Sequence, residues 1–304
     1  MMLAVAPTVG GLLAESATAL EGAGLPTARQ DAEWLLADAV GIERFRLYLD
    51  PDRTVSAETA KDFRSRIERR TVHEPLQYIL GFEEFRGHRL QTAPVALIPR
   101  PETELLVEWA LELERQDGPW SVAVDVGTGT GAIACALAAA VPGLRIVAIE
   151  RSKGALALAA VNVGTLGLGQ QVRLVPGDLL EPLASLTTAV DLVISNPPYV
   201  PTGELPGLPI EVRDWEPREA LDGGPDGMDV HRRLIARSPR FLKPGGWLLM
   251  EMGERQAEPL RQCLAASGFE RIEVRKDLRG VERMIGGRVP GTHARSVGTE
   301  AWVR

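Results

Sequence analysis

Ser121-Val122-Ala123-Val124-Asp125-Val126-Gly127-Thr128-Gly129-Thr130-Gly131-Ala132 is the stretch that decides the fold. It opens as an apolar strand, passes through glycines at alternate positions and runs into the helical pattern Ala132–Ala140. Glycine admits positive φ and lets backbone pass close to a ligand. The helix start that follows presents N–H groups with no intrahelical partner. Nineteen residues past Gly131, Glu150 closes a second apolar run, Arg145–Glu150. A carboxylate there accepts hydrogen bonds from both hydroxyls of a ribose, so the pattern describes a nucleoside site at the carboxyl edge of a parallel sheet.

Outward from this loop, strands and helices alternate from residue 102 onward. A helix fits Glu102–Glu114. Further strands fit Val172–Pro176, Val190–Ser195 and Trp247–Met252, and further helices Ala155–Val163, Asp229–Ala236 and Gln256–Ser267. Arg271–Arg275 and Val281–Gly286 are two final strand candidates. Such alternation implies an α/β fold, a parallel sheet with helices on both faces and right-handed crossovers. The nucleoside itself stays open at this point, because Gly127-x-Gly129-x-x-Ala132 with Glu150 also satisfies a dinucleotide fingerprint. Two features favour S-adenosylmethionine. Asp125 precedes the glycines, and a carboxylate suits an ammonium group better than a pyrophosphate. Gly177-Asp178-Leu179 ends the third strand, where the adenine edge would lie, although Asp178 reads equally well as a solvated turn residue.

Asn196-Pro197-Pro198-Tyr199 follows the apolar run Val190–Ser195. Neither proline has an N–H, and both fix φ near −65°. The turn is therefore stiff, rich in acceptors and poor in donors. The Asn196 side-chain oxygen and the Pro197 carbonyl suit a planar NH2 group, which has two hydrogens to give, with the Tyr199 ring packing on its flat face. The first and fourth strands flank the place where an open sheet of this kind reverses its order, so their loops meet over one crevice. The chemistry expected there is methyl transfer from a sulfonium to a planar nitrogen. An amide or aromatic amine is a poor nucleophile, so positioning and charge stabilisation supply most of the rate.

Before this region the chain is helical. Ala32, Leu35, Leu36 and Val40 share one helical face that Trp34 extends, with Thr27 or Asp31 at its start, and Ser56-Ala57-Glu58-Thr59 precedes another helix through Phe63 and Ile67. Residues 76–98, with Gly81 and Gly87 between apolar positions, read as a short strand pair or connector. The whole chain of 304 residues is 45% hydrophobic and 25% charged, ordinary for a soluble globular protein. It has no run of 18 apolar residues to span a membrane, and MMLAVAPTVGG lacks the basic n-region of a signal peptide. Cys135 and Cys263 read as buried thiols, which fits a reducing cytoplasm. The net charge of −7 argues against broad nucleic-acid binding. The runs Arg64–Arg70 and Arg232–Arg240 read as solvated helix surface. His73, His88, His231 and His293 have no metal-ligand spacing, and no metal site is expected.

Several segments together carry a resemblance: Glu74-Pro-Leu-Gln-Tyr-Ile-Leu-Gly81, Leu97-Ile-Pro-Arg-Pro-Glu-Thr-Glu104, Asp125–Gly131, Ser195–Tyr199, Trp215-Glu-Pro-Arg218 with Ala220-Leu-Asp-Gly-Gly224, and Asp277–Arg288. In this order, over about residues 10–287, they resemble the protein-(glutamine-N5) methyltransferases that modify peptide chain release factors, the HemK or PrmC family. The resemblance implies a Rossmann-like, seven-stranded S-adenosylmethionine-dependent methyltransferase domain with one antiparallel strand in its last pair. A small all-α domain that docks the factor and a short β connector precede it. The corresponding boundaries are 1–75, 76–100 and 101–288, with a flexible tail at 289–304. The implied substrate is the glutamine of the Gly-Gly-Gln motif of class 1 release factors. Asp125, Gly127, Thr128, Gly129, Thr130, Gly131, Glu150, Asp178, Leu179 and Asn196 are expected at the cofactor, and Asn196, Pro197, Pro198 and Tyr199 at the glutamine amide. Leu97–Glu104 reads equally as a plain helix start and as a border of the site that the resemblance implies, with Arg100 orienting the substrate loop; Glu216-Pro217 reads equally as an ordinary turn and as a buttress of the Asn196 loop. Members often carry an aromatic residue shortly before Ile98-Pro-Arg-Pro. His88–Ala93 has none, which leaves Gln91 or Phe85 to wall the pocket. The alternative is an amino methyltransferase acting on adenine or guanine in nucleic acid, which uses the same geometry. Oligomeric state is not legible.

Overall fold

Polar caps and apolar faces account for the first helices. Thr8 accepts the Gly11 N–H at 3.2 Å to start α1 (Val9–Gly22), and Ser56 accepts the Thr59 N–H at 3.1 Å to start α3 (Ala57–Thr71). Between them α2 (Ala28–Val40) ends at Gly41, whose φ of 71° closes the helix in the left-handed region. Leu12, Leu20, Leu35, Leu36, Phe63 and Ile67 interlock as the core of this unit. A computed structural model describes residues 6–185 and 189–291 of the chain. Of the tail expected at 289–304, residues 292–304 with His293 lie outside the described residues, whereas Val289 is buried in the core.

Two compact units divide the chain. Among the described residues, one comprises those up to Phe82 together with Pro209–Trp215; the other comprises those of 83–208 and those from Glu216 onward. The first unit holds a buried arginine. Arg70, 2% exposed, donates from Nε to Asp31 at 2.8 Å, and from its two terminal nitrogens to the Glu74 carbonyl at 2.9 Å and to Glu211 at 2.6 Å. The apolar residues at the start of the expected connector form a helical turn, α4 (Leu76–Leu80), rather than a strand. Gly81, at φ 79°, ends it. The strand pair follows as β1 (Phe82–Phe85) and β2 (His88–Gln91).

In the second unit, α5 (Pro101–Asp117) has proline at its first position and Glu102 and Glu104 in its first turn, where they favour the helix dipole. β3 (Val122–Val126), α6 (Ala132–Ala140), β4 (Arg145–Glu150), α7 (Lys153–Thr165), β5 (Val172–Pro176) and β6 (Val190–Ser195) then alternate. After the short α8 (Ile210–Arg213) of the first unit come α9 (Asp229–Arg237), β7 (Leu242–Glu251), α10 (Ala257–Ala266), β8 (Glu270–Lys276) and β9 (Glu282–Arg288). The seven-stranded sheet runs β5-β4-β3-β6-β7-β9-β8. Its strands are parallel as far as β7, and β9 is antiparallel to both of its neighbours. Ala123, Ile146, Leu192 and Leu249 pack on one face; Val122, Val124, Val147 and Leu248 pack on the other. Burial on both faces explains why these strands read as continuous apolar runs. β7 starts earlier than its apolar stretch, because Leu242 pairs with Val190 before the register shifts and Trp247 meets Leu192.

The order reverses between β3 and β6, so the glycine loop and the Asn196 loop leave the same edge of adjacent strands. Among the described residues no helix is long and apolar enough to cross a membrane. Cys135 is a buried free thiol as expected, whereas Cys263 is only partly buried.

Removing one partner of a buried ion pair strands the other charge. Arg70→Ala is expected to destabilise the helical unit by about 3–5 kcal/mol, read as a lowered urea midpoint.

Candidate active site

The loop after β3 is held by its own backbone. The Gly127 and Thr128 N–H groups donate to the Ile149 carbonyl at 2.9 and 3.1 Å, and the Gly129 N–H donates to Glu150 Oε2 at 3.0 Å. Gly127 and Gly129 have φ of 69° and 56°. A Cβ at Gly127 would meet nothing within 4 Å, so the backbone conformation, not space, calls for glycine there. Gly131 is different. Its Cβ would stand 3.4 Å from the Ala159 side chain, so it serves the packing of α6 on α7 and does not line the cleft. Gly127, Thr128, Gly129 and Thr130 do line it, as does Glu150. Glu150 Oε1 accepts the Ser152 N–H at 2.8 Å. A carboxylate has about four lone-pair sites, which leaves capacity for further donors.

Asp125 departs from its expected place. It is fully buried behind the loop and does not line the cleft. Its Oδ2 accepts the Thr128 hydroxyl at 2.5 Å and the Ala134 N–H at 3.1 Å, and Oδ1 has no hydrogen-bond partner. The side chain therefore braces the glycine loop against the first turn of α6 instead of presenting a carboxylate to the cleft. Burial pushes its carboxyl up to about 7, with the Glu150 charge adding to the rise.

Asp178 and Leu179 line the far side of the cleft. Asp178 is no free turn residue: Arg233 of α9, also on the cleft wall, forms an ion pair with it. Leu179 has φ 50°, a left-handed conformation that costs a residue with a Cβ about 1–2 kcal/mol. Strain of this kind concentrates at ligand sites.

Asn196, Pro197 and Pro198 line the same cleft from the end of β6. The Ser195 hydroxyl donates to the Val126 carbonyl at 2.7 Å and joins the ends of the two strands that carry the loops. Asn196 Nδ2 donates to the Thr103 hydroxyl at 3.0 Å, and Thr103 is hydrogen-bonded to Glu251 Oε2 at 2.6 Å. Glu251, at the end of β7, is 1% exposed, and burial pushes its carboxyl up to about 7. Tyr199 does not line the cleft. Its hydroxyl donates to Glu251 Oε1 at 3.2 Å, and burial raises its pKa well above the usual phenol value. The hydroxyl end of the ring is thus anchored on buried Glu251.

Behind the loop, Val200 exchanges backbone hydrogen bonds with Leu221 and Gly223, both at 2.9 Å. A Cβ on Gly223 would lie 2.8 Å from the Pro198 carbonyl oxygen, and one on Gly227 would lie 2.2 Å from that of Tyr199. Gln256 Nε2 donates to the Tyr199 carbonyl at 2.9 Å. These residues form the buttress expected of Glu216-Pro217. Glu216 instead forms an ion pair with Arg100 and accepts the Ile98 N–H at 3.3 Å, fixing the segment that walls the cleft. That wall is Val95–Arg100. Neither Gln91 nor Phe85 contributes: Phe85 is a core residue, and the Gln91 backbone is bonded to Asn162.

Thr103, Glu251 and Arg233 are site residues that sequence reading did not single out. Thr103 lies in a stretch that reads as a helix start. Glu251 carried a signal, being an acidic residue within the apolar run Trp247–Met252. Arg233 was hidden in a run read as solvated surface.

Two family profiles match the chain, a PrmC N-terminal domain over residues 11–81 and a methyltransferase small domain over residues 102–205. The chain is 43% identical over 267 residues to the release factor glutamine methyltransferase of Geobacter sulfurreducens, covering 88% of this chain and 91% of that one. It is 40% identical over 281 residues to that of Deinococcus radiodurans, covering 92% and 98%. Among solved structures, the hMettl16 catalytic domain superposes with a TM-score of 0.55 at 17% identity, covering 81% of this chain and 87% of that one. A methyltransferase from Pyrococcus furiosus superposes with a TM-score of 0.50 at 16% identity, covering 67% and 90%. At such identities the likeness is one of fold.

The raised Asp125 carboxyl has a definite effect on stability. Between its unfolded value near 4 and about 7 the folded chain holds a proton that the unfolded chain has lost, so stability falls as pH rises through that window. Asp125→Asn is expected to remove about 1.4 kcal/mol per pH unit of this slope. Urea unfolding of the cofactor-free protein and the variant at about pH 5 and about pH 6.5 checks the difference in slope.

Proposed function

Because the chain belongs to the family of release factor glutamine methyltransferases, we infer that it transfers a methyl group from S-adenosylmethionine to the side-chain amide nitrogen, N5, of glutamine in the Gly-Gly-Gln motif of class 1 peptide chain release factors. The observation that carries this reading is the Asn196 side chain, whose Nδ2 is engaged by Thr103 on one side while the residue lines the cleft on the other.

The glycine loop, Glu150 and Leu179 fit a nucleoside. Two glycines with positive φ open the wall, and a carboxylate with unused acceptor capacity stands at the strand end beside it. Bound there, S-adenosylmethionine supplies an electrophilic methyl group on a sulfonium. The chain's own residues then solve the harder half of the problem. An amide nitrogen has a delocalised lone pair and gains positive charge as it attacks. Asn196 Oδ1 and the Pro197 carbonyl accept its two hydrogens, hold the nitrogen in line and stabilise the growing charge. The methylated nitrogen is acidic and gives its proton to water, so no strong base is needed. Ile98–Arg100, fixed by Glu216, forms one wall of that cleft. Exposed Phe45, Tyr48 and Leu49 on the helical unit support its assignment to factor docking.

The nucleic-acid reading has less support. Beyond the net charge of −7, arginines of both basic runs are paired with carboxylates: Arg64 with Glu15, Arg66 with Asp38, Arg69 with Glu74, Arg232 with Asp226 and Arg237 with Glu181. Phosphate binding would have to break those pairs.

Incubation with methyl-labelled S-adenosylmethionine and either release factor, DNA or RNA tests the function. Label is expected on the factor; label on nucleic acid alone would overturn the reading. Asn196→Ala is expected to lower kcat by about 10²–10³ while the fold survives, checked by the same transfer and by circular dichroism.

A further inference from the structure

The Asn196 amide can act as an acceptor only if its oxygen, not its nitrogen, faces the substrate. Nothing in Asn196 itself decides this, since the two ends of a carboxamide have nearly the same shape. The decision comes from two residues behind it. Thr103 is 5% exposed and Glu251 is 1% exposed, so both lie away from water. A threonine hydroxyl has a single hydrogen. Given to the Glu251 carboxylate over 2.6 Å, it leaves only lone pairs for Asn196. Asn196 must then offer Nδ2, at 3.0 Å, and Oδ1 is turned the other way. The second carboxylate oxygen of Glu251 accepts the Tyr199 hydroxyl at 3.2 Å, so the same carboxylate holds both ends of the Asn196–Tyr199 turn.

We propose that Glu251 and Thr103 are positioning residues that set the direction of the Asn196 carboxamide through a one-way chain of hydrogen bonds, Asn196 to Thr103 to Glu251. This deepens the glutamine methyltransferase reading and rests on it for its kinetic part. The chain has direction because a carboxylate only accepts. A protonated Glu251 can donate. Thr103 can then accept from Glu251 and donate to Asn196, which turns Oδ1 inward and Nδ2 toward the substrate, two donors facing two donors. The groups that act on Glu251 are Glu102 and Thr103 of α5, Tyr199, Arg283 of β9 with its partner Asp277, and His231 of α9, whose Nε2 lies 2.8 Å from the Glu251 backbone oxygen. Burial keeps His231 neutral, with its pKa pushed down to about 4, so Glu251 is the member that changes charge near neutrality.

The chain contains only two asparagines, Asn162 and Asn196. Labelling with 15N-asparagine therefore gives two side-chain NH2 pairs in an NMR spectrum of the free protein. Asn162, held by Gln91 and Thr130, is the internal reference. The Asn196 pair is expected to move in Thr103→Val, to return in Thr103→Ser, and in the wild type to titrate between about pH 8 and about pH 6, a change that Thr103→Val abolishes. The Asn162 pair stays in place throughout if the fold is intact. On release factor, Thr103→Val is expected to lower kcat by about 10- to 100-fold, with Thr103→Ser within about 3-fold of wild type. An Asn196 pair that ignores both pH and Thr103→Val overturns the proposal, as does a serine variant as slow as the valine one, which would assign the effect to side-chain shape. The spectra need no substrate. A wild-type protein that shows the titration but leaves the factor unmethylated would overturn the functional reading and not the hydrogen-bond chain.

Discussion

The Ser195 hydroxyl gives its hydrogen to the Val126 carbonyl at 2.7 Å, and the rest of the site depends on that join. It lies where the sheet reverses its order, between β3 and β6, so the two loops that leave those strands begin from a fixed separation. In the proposed function one loop receives the nucleoside and the other the planar amide. A reaction between a sulfonium methyl and a delocalised nitrogen gains most of its rate from alignment. Loops on two independently moving strands would lose that alignment. Parallel pairing of Ala123, Val124 and Asp125 with Leu192, Val193 and Ile194 makes the join rigid.

The fold was legible because the central strands of its sheet, β3, β4, β6 and most of β7, are buried on both faces and its helices are well bounded. Val122–Val126 and Val190–Ser195 read as strands for the same reason that they sit at the centre of the sheet. Where an apolar run was too short to show a period, the reading failed. Leu76–Leu80 forms one helical turn, because five residues ending in a left-handed glycine satisfy a helix as well as a strand. The start of β7 was missed because Lys243-Pro244-Gly245-Gly246 resembles a turn and is absorbed by a register shift.

For the site, the residues that touch the cleft were largely legible and those that orient them were not. Gly127, Gly129, Glu150, Leu179 and Asn196 announce themselves through turn chemistry and strand ends. Asp125 was read one layer too far forward. Its carboxylate serves Thr128 and Ala134, a partnership that sequence spacing does not distinguish from a ligand contact. Thr103, Glu251, Arg233 and Gln256 act across separations of 52 to 148 residues. No local pattern encodes such pairings. The two buried acids, Asp125 and Glu251, share one logic: each is a costly group behind a loop, kept where it fixes the direction of a neighbour that faces the cleft.

The central claim is that Asn196 Oδ1 receives the substrate amide. A crystal structure of the protein with S-adenosylhomocysteine and a Gly-Gly-Gln peptide tests it most directly. The account predicts the glutamine amide nitrogen within about 2.7–3.2 Å of both Asn196 Oδ1 and the Pro197 carbonyl oxygen, with Asn196 Nδ2 still on Thr103. A glutamine nitrogen bound away from Asn196, or an Asn196 amide turned with Nδ2 toward the peptide, would contradict it.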